Sequence, residues 1–385
     1  MALHWRILIL LFLVRCTMAF QFATIGGIGP VLSDTYTLDI AGLGWIVGLY
    51  FLPGVVVALP GGGIARRFGD ERVILYGLAL MMAGSLIMAL QPPLSVFSAA
   101  RLMAGIGGIL MNVLMSKLVL DWFANRQIAT AMVIFINSWP AGIGLSLVVQ
   151  PWLAAQGGVA LPFAVETGLI ATALAAFFLF YRRPDTAPVT TGTPARAVPQ
   201  GAILGAVLVA GFSWGAFNAS LAALLSFGPT SLVDRGMSLE LAGLSISIVS
   251  WTVVVTGTFG GWLTDRTGRP ATVLLTGLSL FGLALFLFPR VPPMLITMAL
   301  IGLLSGIPVA GLISLPARVL KPEQRAIGMG LFYTVYYACF AILPGLGGKW
   351  AESAGTVSAA FEFAAFVIVL AILGVFVFLP LSRRV

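Results

Sequence analysis

Two arginines interrupt long apolar runs. Arg15 follows Ile7-Leu8-Ile9-Leu10-Leu11-Phe12-Leu13-Val14, and Arg101 opens Arg101-Leu102-Met103-Ala104-Gly105-Ile106-Gly107-Gly108. A guanidinium offers a planar fork of donors matched to carboxylates and similar oxyanions. The positions one turn away from Arg15 are Leu11, Phe12, Met18 and Ala19, so its own helix supplies no counter-ion. Far along the chain, Tyr333, Tyr336 and Tyr337 recur at spacings of three and four, which places their hydroxyls on one helical face. A lone cation and a tyrosine face are the elements of a binding site for a small anion. Cys16, Cys339 and the solitary His4 form no metal-ligating set, and one histidine excludes a Ser-His-Asp arrangement.

The surroundings of these residues are those of a lipid-embedded chain. Of 385 residues, 59% are hydrophobic and 9% charged, and the mean hydropathy of +1.06 leaves too little polar surface to face water on all sides. Apolar segments long enough to cross a bilayer fall at 5–30, 41–65, 72–91, 94–118, 127–150, 159–181, 201–228, 239–264, 271–289, 292–316, 327–348 and 356–380. Arg6 and Thr17-Met18-Ala19 give the first segment the look of a cleaved leader, but its apolar character runs on to Gly29-Pro30, so a retained span is expected. Arg15 then lies about ten residues into it, some 15 Å deep and near the bilayer midplane. A charge there costs about 3 kcal/mol on insertion scales unless it faces a cavity or a partner.

The net charge of +8 does not point to nucleic acid. With the N-terminus inside, sixteen of the 21 Lys and Arg residues fall at cytoplasmic ends of spans and only Arg235, Arg290 and Lys349 fall outside. Both termini are expected in the cytoplasm. The chain also repeats itself: Gly62-x3-Arg66-Arg67-x-Gly69 returns 199 residues later as Gly261-x3-Asp265-Arg266-x-Gly268, and Arg126 is matched by Arg325. Two six-span units are expected at 1–181 and 201–385, joined by a cytoplasmic linker, 182–200, rich in Pro, Thr, Gly and Ala.

These motifs resemble those of the major facilitator superfamily, whose loop between the second and third helices carries G-x3-[DE]-R-x-G. The second copy matches it in full through Arg269, whereas the first has Arg66 in place of the acid, with Asp70 and Glu71 close behind. Arg101 to Gly108 is similar to the family's R-x3-G-x-G-G signature in helix four, and Asn137-Ser138-Trp139-Pro140-Ala141-Gly142-Ile143-Gly144 to a Gly-Pro motif of exchangers and drug antiporters. The stretches Gln21 to Pro30 and Gly48 to Gly54 resemble cyanate and nitroimidazole transporter-like members. The resemblance implies an all-α membrane protein of two pseudo-symmetric six-helix bundles that rock about a central site. It implies a transporter, working as a monomer without a cofactor, in a bacterial-type inner membrane.

Cargo in such a protein binds near the midplane between the halves. The candidate contacts are Arg15, Gln21, Tyr50, Arg101, Asn112 and Asn137 from the first half and Trp214, Asn218, Trp251, Tyr333, Tyr336 and Tyr337 from the second. The repeat offset pairs Arg15 with Trp214 and Asn137 with Tyr336, so a charged wall is expected to face an aromatic one. Arg15 has competing partners in backbone carbonyls or in Glu166 or Glu362, and Arg101 has one in a neighbouring helix. Gly62, Arg66, Arg67, Gly69, Gly261, Asp265, Arg266 and Gly268 are expected to act in gating, as are Pro140 and Pro308.

The deep core is expected to be free of carboxylates, which favours exchange or facilitated diffusion, in which cargo alone neutralises Arg15. Proton symport would have to use the shallower Glu166 or Glu362. A small organic or inorganic anion is thus the expected partner, together with lipid. The competing readings are efflux of neutral or cationic hydrophobic compounds, a membrane-embedded enzyme and a sensor without transport. The absence of an embedded acid facing a cavity, of catalytic constellations and of a signalling domain weigh against them in turn.

Overall fold

The computed structural model describes residues 2–58, 69–123, 127–182, 198–257 and 259–384, apart from the side chains of 129, 322 and 326. Every described element is a helix. This follows from the solvent, because backbone groups in hydrocarbon must pair within their own segment. Twelve helical stretches are long and apolar enough to cross a membrane. The side from which the first of these helices starts is called here the terminal end; the opposite side is the far end.

The first six crossings are α1 (Leu3–Gly27), followed at the far end by the short α2 (Gly29–Tyr36); the broken pair α3 (Ile40–Leu49) and α4 (Leu52–Val57); α5 (Asp70–Ala89); α6 (Leu94–Trp122); α7 (Ile128–Gly157); and α8 (Ala160–Phe180). The second six are α9 (Gly201–Asp234); α10 (Leu239–Thr256), followed by α11 (Phe259–Thr267); α12 (Pro270–Leu287); the broken pair α13 (Leu295–Gly306) and α14 (Val309–Ser314); α15 (Arg325–Ala354); and α16 (Ala359–Ser382). Both breaks lie beside proline, Pro53 and Pro308, which removes a backbone donor and crowds the preceding turn. At the far end, Asp39 accepts from Gly42 N at 2.5 Å and Ser238 from Leu241 N at 3.3 Å, starting α3 and α10.

Within each set of six, small residues bring the backbones together, as where Gly142 of α7 meets Cys16 of α1 and Gly211 of α9 meets Phe332 of α15. Contacts between the sets run through α3 and α4 with α15, α7 with α10, and α1 with α9. They concentrate at the far end. A Cβ on Gly48 would stand 2.0 Å from the Ala341 carbonyl oxygen, one on Gly26 2.6 Å from Ser226 Cα, and one on Gly243 2.3 Å from the Leu147 carbonyl oxygen.

Burial along the two pseudo-equivalent helices follows the same division. In α1 every residue from Cys16 to Gly27 is buried, whereas between Leu3 and Arg15 only Ile7, Leu8, Leu11 and Val14 are. In α9 burial is continuous from Ala222 to Pro229 and one-sided nearer Gly201. A helix hidden on all faces is wrapped by both halves. The halves therefore close against each other at the far end and part toward the terminal end. Arg15 sits at the boundary between these zones.

Candidate functional site

Arg15 projects from α1 just below the closed zone and is partly exposed. Its Nε donates to Asn112 Oδ1 at 2.8 Å, and its Nη1 to Ser138 Oγ at 3.0 Å and to the Phe135 and Ile136 carbonyls at 3.0 and 3.2 Å. The guanidinium carbon lies 4.7 Å from the Phe135 ring centroid and 5.9 Å from that of Trp139. These contacts fix the direction of the side chain while Nη2 donates to no described atom. Of the expected partners, the backbone carbonyls are thus real, and neither Glu166 nor Glu362 reaches it.

Across the gap stand the tyrosines of α15. Tyr333, Tyr336 and Tyr337 all lie within electrostatic reach of Arg15, and Tyr337 also approaches Asn112. Tyr336 is stacked with Trp214 of α9, with ring centroids 6.2 Å apart and planes at 21°. Asn218, one turn on, donates to the Trp214 carbonyl at 2.8 Å. Trp214 and Asn218 are eleven and seven residues before Leu225, on the face of α9 that meets Gly26 of α1. Asn137 lies two turns before Gly144, on the α7 face that Trp251 of α10 covers. Trp251 remains 38% exposed and stands at the edge of the gap.

A ring cluster closes this space toward the far end. Phe51 and Phe340 have centroids 4.0 Å apart, Phe22 and Phe340 5.8 Å, and Phe51 and Tyr337 6.1 Å, so four rings, two from each half, interlock. Trp139 stacks on Phe22 at 5.7 Å and joins the cluster to Arg15. Ser138, Trp139, Phe135, Phe22, Phe51 and Phe340 were not among the sequence candidates. Two of them lie within the Asn137 to Gly144 run, and Phe22 is seven residues from Arg15 on the same face, so helical spacing carried a usable signal for those three.

Three candidates belong elsewhere. Arg101 is fully buried inside the first half, where Nη1 and Nη2 donate to the Gln21 and Phe22 carbonyls at 2.8 and 2.9 Å and the guanidinium lies 4.5 Å from the Tyr50 ring centroid. It ties α6 to α1 and does not face the gap. Gln21 donates to Ser85 Oγ and to the Met81 carbonyl, and Tyr50 donates to Gln21 Oε1 at 3.1 Å, both fully buried. The reason is rotational: Gln21 is six residues from Arg15, which turns it to another face of α1. The carboxylate-free core is corrected as well. Glu166 is fully buried, accepting from the Thr24 and Ser85 hydroxyls, whereas Glu362 pairs with Arg290 at the far-end surface, where both are about two-fifths exposed.

In the repeated motif, Gly62, Arg66, Arg67 and Arg126 lie outside the described residues. Gly69 precedes α5 with φ 84°, Asp70 pairs with Lys117 at 2.6 Å, and Gly261, Asp265 and Arg266 lie on α11 with Gly268 just after it at φ 64°. Arg266 stacks over Trp262, its guanidinium carbon 5.2 Å from the ring.

Two halves that touch at one end and part at the other, with a cation and rings between them, are built from twelve helices long and apolar enough to cross a membrane. A family model described as the Major Facilitator Superfamily matches residues 11–227 and 203–385, and the chain belongs to that superfamily. The fold agrees: a D-xylose–proton symporter superposes with a TM-score of 0.79 at 14% identity over 99% of both chains, and a nucleoside transporter with 0.74 at 17% over 99% of this chain and 100% of the other. A bacterial homologue of the human lysosomal transporter Spinster, solved inward-facing and unoccupied, gives 0.76 at 16% over 99% and 97%.

Among curated relatives, the probable galactarate/D-glucarate transporter of Escherichia coli (strain K12) is 23% identical over 308 residues, covering 69% of this chain and 68% of its own. The lincomycin resistance protein of Streptomyces lincolnensis is 31% identical over 104 residues, 27% of this chain and 22% of its own. The matched stretch takes up about a quarter of the length of the methylenomycin and lincomycin resistance proteins. The chain is a transporter-family protein, not an enzyme.

Proposed function

We propose that this protein carries a small organic anion, a carboxylate above all, through the gap between its halves, with Arg15 as the anion's charge partner. The observation that carries the reading is the setting of Arg15. Asn112, Ser138 and two α7 carbonyls orient its guanidinium, Nη2 is left uncommitted, and the opposite wall is made of tyrosine and tryptophan. Among the described residues no carboxylate shares that space, so a cationic cargo lacks a partner and an anionic one has a built donor. The dicarboxylate relative supports the same class of cargo. The excess of Lys and Arg at the terminal end supports placing that end in the cytoplasm of a bacterial inner membrane, so this conformation is open inward.

Efflux of hydrophobic compounds is the second reading, supported by the ring-lined wall and by the resistance-protein relatives, a quinolone resistance protein of Staphylococcus aureus included. Thermal shift of the purified protein against a panel of mono- and dicarboxylates, glucarate among them, and against tetraphenylphosphonium separates the two. Stabilisation by a carboxylate, weakened about 10- to 150-fold in Arg15→Gln through loss of one charge-assisted bond of about 1.5–3 kcal/mol, is expected. Stabilisation by the lipophilic cation alone, or carboxylate binding that survives Arg15→Gln unchanged, refutes the anion reading.

A further inference from the structure

The rings beside Arg15 fall into two stacks, one from each half. In the first half Trp139 of α7 lies against Phe22 of α1, with centroids 5.7 Å apart and planes at 21°. In the second, Phe217 and Trp214 of α9 and Tyr336 of α15 follow one another in near-parallel planes, with centroids 5.8 and 6.2 Å apart and angles of 19° and 21°. Phe217 is buried at the back of its stack, whereas Trp139, Trp214 and Tyr336 keep partly exposed surface. Phe340 is the common base, meeting Tyr336 edge-on at 5.5 Å and Phe22 edge-on at 5.8 Å. Above that base the stacks stay apart: Trp139 touches the rings of Phe22 and Phe51 and not those of Trp214 or Tyr336. The result is a slot with an aromatic side on each half and an aromatic floor. Arg15 stands at one end of it, 5.9 Å from the Trp139 ring and within electrostatic reach of the three tyrosine hydroxyls.

The slot holds one positive charge. None of α3, α4, α7, α9, α10, α13 and α14 carries a Lys, Arg or His. On α15, Arg325 is eight residues before Tyr333 and Lys349 twelve after Tyr337, about 12 and 18 Å along the axis; on α1, Arg6 is nine residues before Arg15, about 14 Å away. On α6, Arg101 is spent on α1 carbonyls and Lys117 pairs with Asp70. A cargo with two carboxylates would leave its second one without a cation once the halves close around it, and an ionised group sealed from water unpaired is costly. A cargo with one carboxylate spends it on Arg15 Nη2 and has only its body left to cover. The cover is made of rings, and a flat aromatic body gains from facing or abutting them beyond the area it buries.

Resting on the anion reading above, we propose that the cargo is an aromatic monocarboxylate, its single carboxylate on Arg15 and its ring in the slot between Trp139 and the Trp214–Tyr336 stack. These three residues then set specificity: the charge count selects one carboxylate, and the ring stacks select a planar body over a saturated one.

Calorimetric titration of the purified full chain in lipid nanodiscs with benzoate, cyclohexanecarboxylate, terephthalate and succinate separates charge from planarity. Benzoate is expected to bind tighter than cyclohexanecarboxylate by about 2- to 12-fold per ring contact, the equivalent of about 0.5–1.5 kcal/mol. Terephthalate, with the same ring and a second charge, is expected to bind about tenfold or more weaker than benzoate, and succinate weaker still. In Trp214→Leu the ratio of benzoate to cyclohexanecarboxylate affinity falls toward one, and in Trp214→Phe it is kept. A merely structural role for the ring would weaken both ligands together and leave the ratio in place. Tyr336→Leu is the second variant should Trp214→Leu fail to fold. Equal or tighter binding of cyclohexanecarboxylate or terephthalate overturns the proposal, as does a ratio unmoved in the leucine variants. If the saturated or doubly charged ligand binds best and is weakened in Arg15→Gln, the anion reading stands and only this inference falls. Absence of binding by all four carboxylates, or binding unaltered in Arg15→Gln, overturns both.

Discussion

Gly48→Ala tests whether the far-end seam is the moving gate. Gly48 of α3 faces α15 so closely that an added Cβ would meet the Ala341 carbonyl oxygen at 2.0 Å, against ordinary contact from 3.4 Å upward. The obstacle is backbone and cannot rotate away, so the helices must part by about 1.4 Å or the contact must break. Overpacking of this kind costs about 1–3 kcal/mol. Because the clash exists only while the two halves touch, the cost falls on the far-end-closed state and not on the open one. A differential of that size moves the ratio of the two states about 5- to 150-fold toward the open form. The readout is alkylation of Thr230→Cys by a membrane-impermeant maleimide. Thr230 lies in the same seam, its hydroxyl 2.9 Å from where a Cβ on Gly29 would stand. Labelling should accelerate in Gly48→Ala and stay unchanged in Gly168→Ala, where an added Cβ meets nothing within 4 Å. An unchanged labelling rate in a folded Gly48→Ala protein would show that the seam does not open as a unit and refute the gate.

Two further outcomes follow from the separation of Arg101 and Glu362 from the gap. Arg101→Leu removes charge-assisted bonds to two α1 carbonyls, so it should lower the stability of the detergent-purified protein by about 1.5–3 kcal/mol in thermal unfolding. Any carboxylate found by the thermal-shift panel should still bind to the folded fraction; a fully stable variant that has lost binding would place Arg101 at the cargo. Glu362→Gln breaks an ion pair in which both side chains are about two-fifths exposed, so it should change stability by no more than about 1 kcal/mol in thermal unfolding. A loss well above that would show the pair to be shielded from water.

The twelve crossings were legible because a span is a local property: about twenty apolar residues announce it whatever surrounds them. Segment ends shifted most where α7, α9 and α15 run on to Gly157, Asp234 and Ala354, and Pro53 and Pro308 break two spans whose hydropathy runs straight on. The site was half legible. Arg15, Asn112, Asn137, Trp214, Asn218 and the three tyrosines do come together about the gap, with Trp251 at its edge, whereas Gln21, Tyr50 and Arg101 turn inward. The cause lies in what lipid does to a helix. In a soluble protein the apolar stripe tells which face is buried; in a bilayer every face of a span is apolar, so hydropathy no longer records rotation.

Glu166 shows the same limit from the other side. Its depth from the helix start was readable and placed it near the surface, but the neighbours that seal it, Thr24 and Ser85, are 142 and 81 residues away in the chain. Apolar length, charge bias and an internal repeat by themselves determined that this chain is a duplicated membrane carrier with an arginine deep in its first span. Only the packing of the two halves decided that Arg15 faces the gap, that Arg101 is a tie and that Glu166 is sealed, because each depends on how helices distant in sequence are rotated against one another.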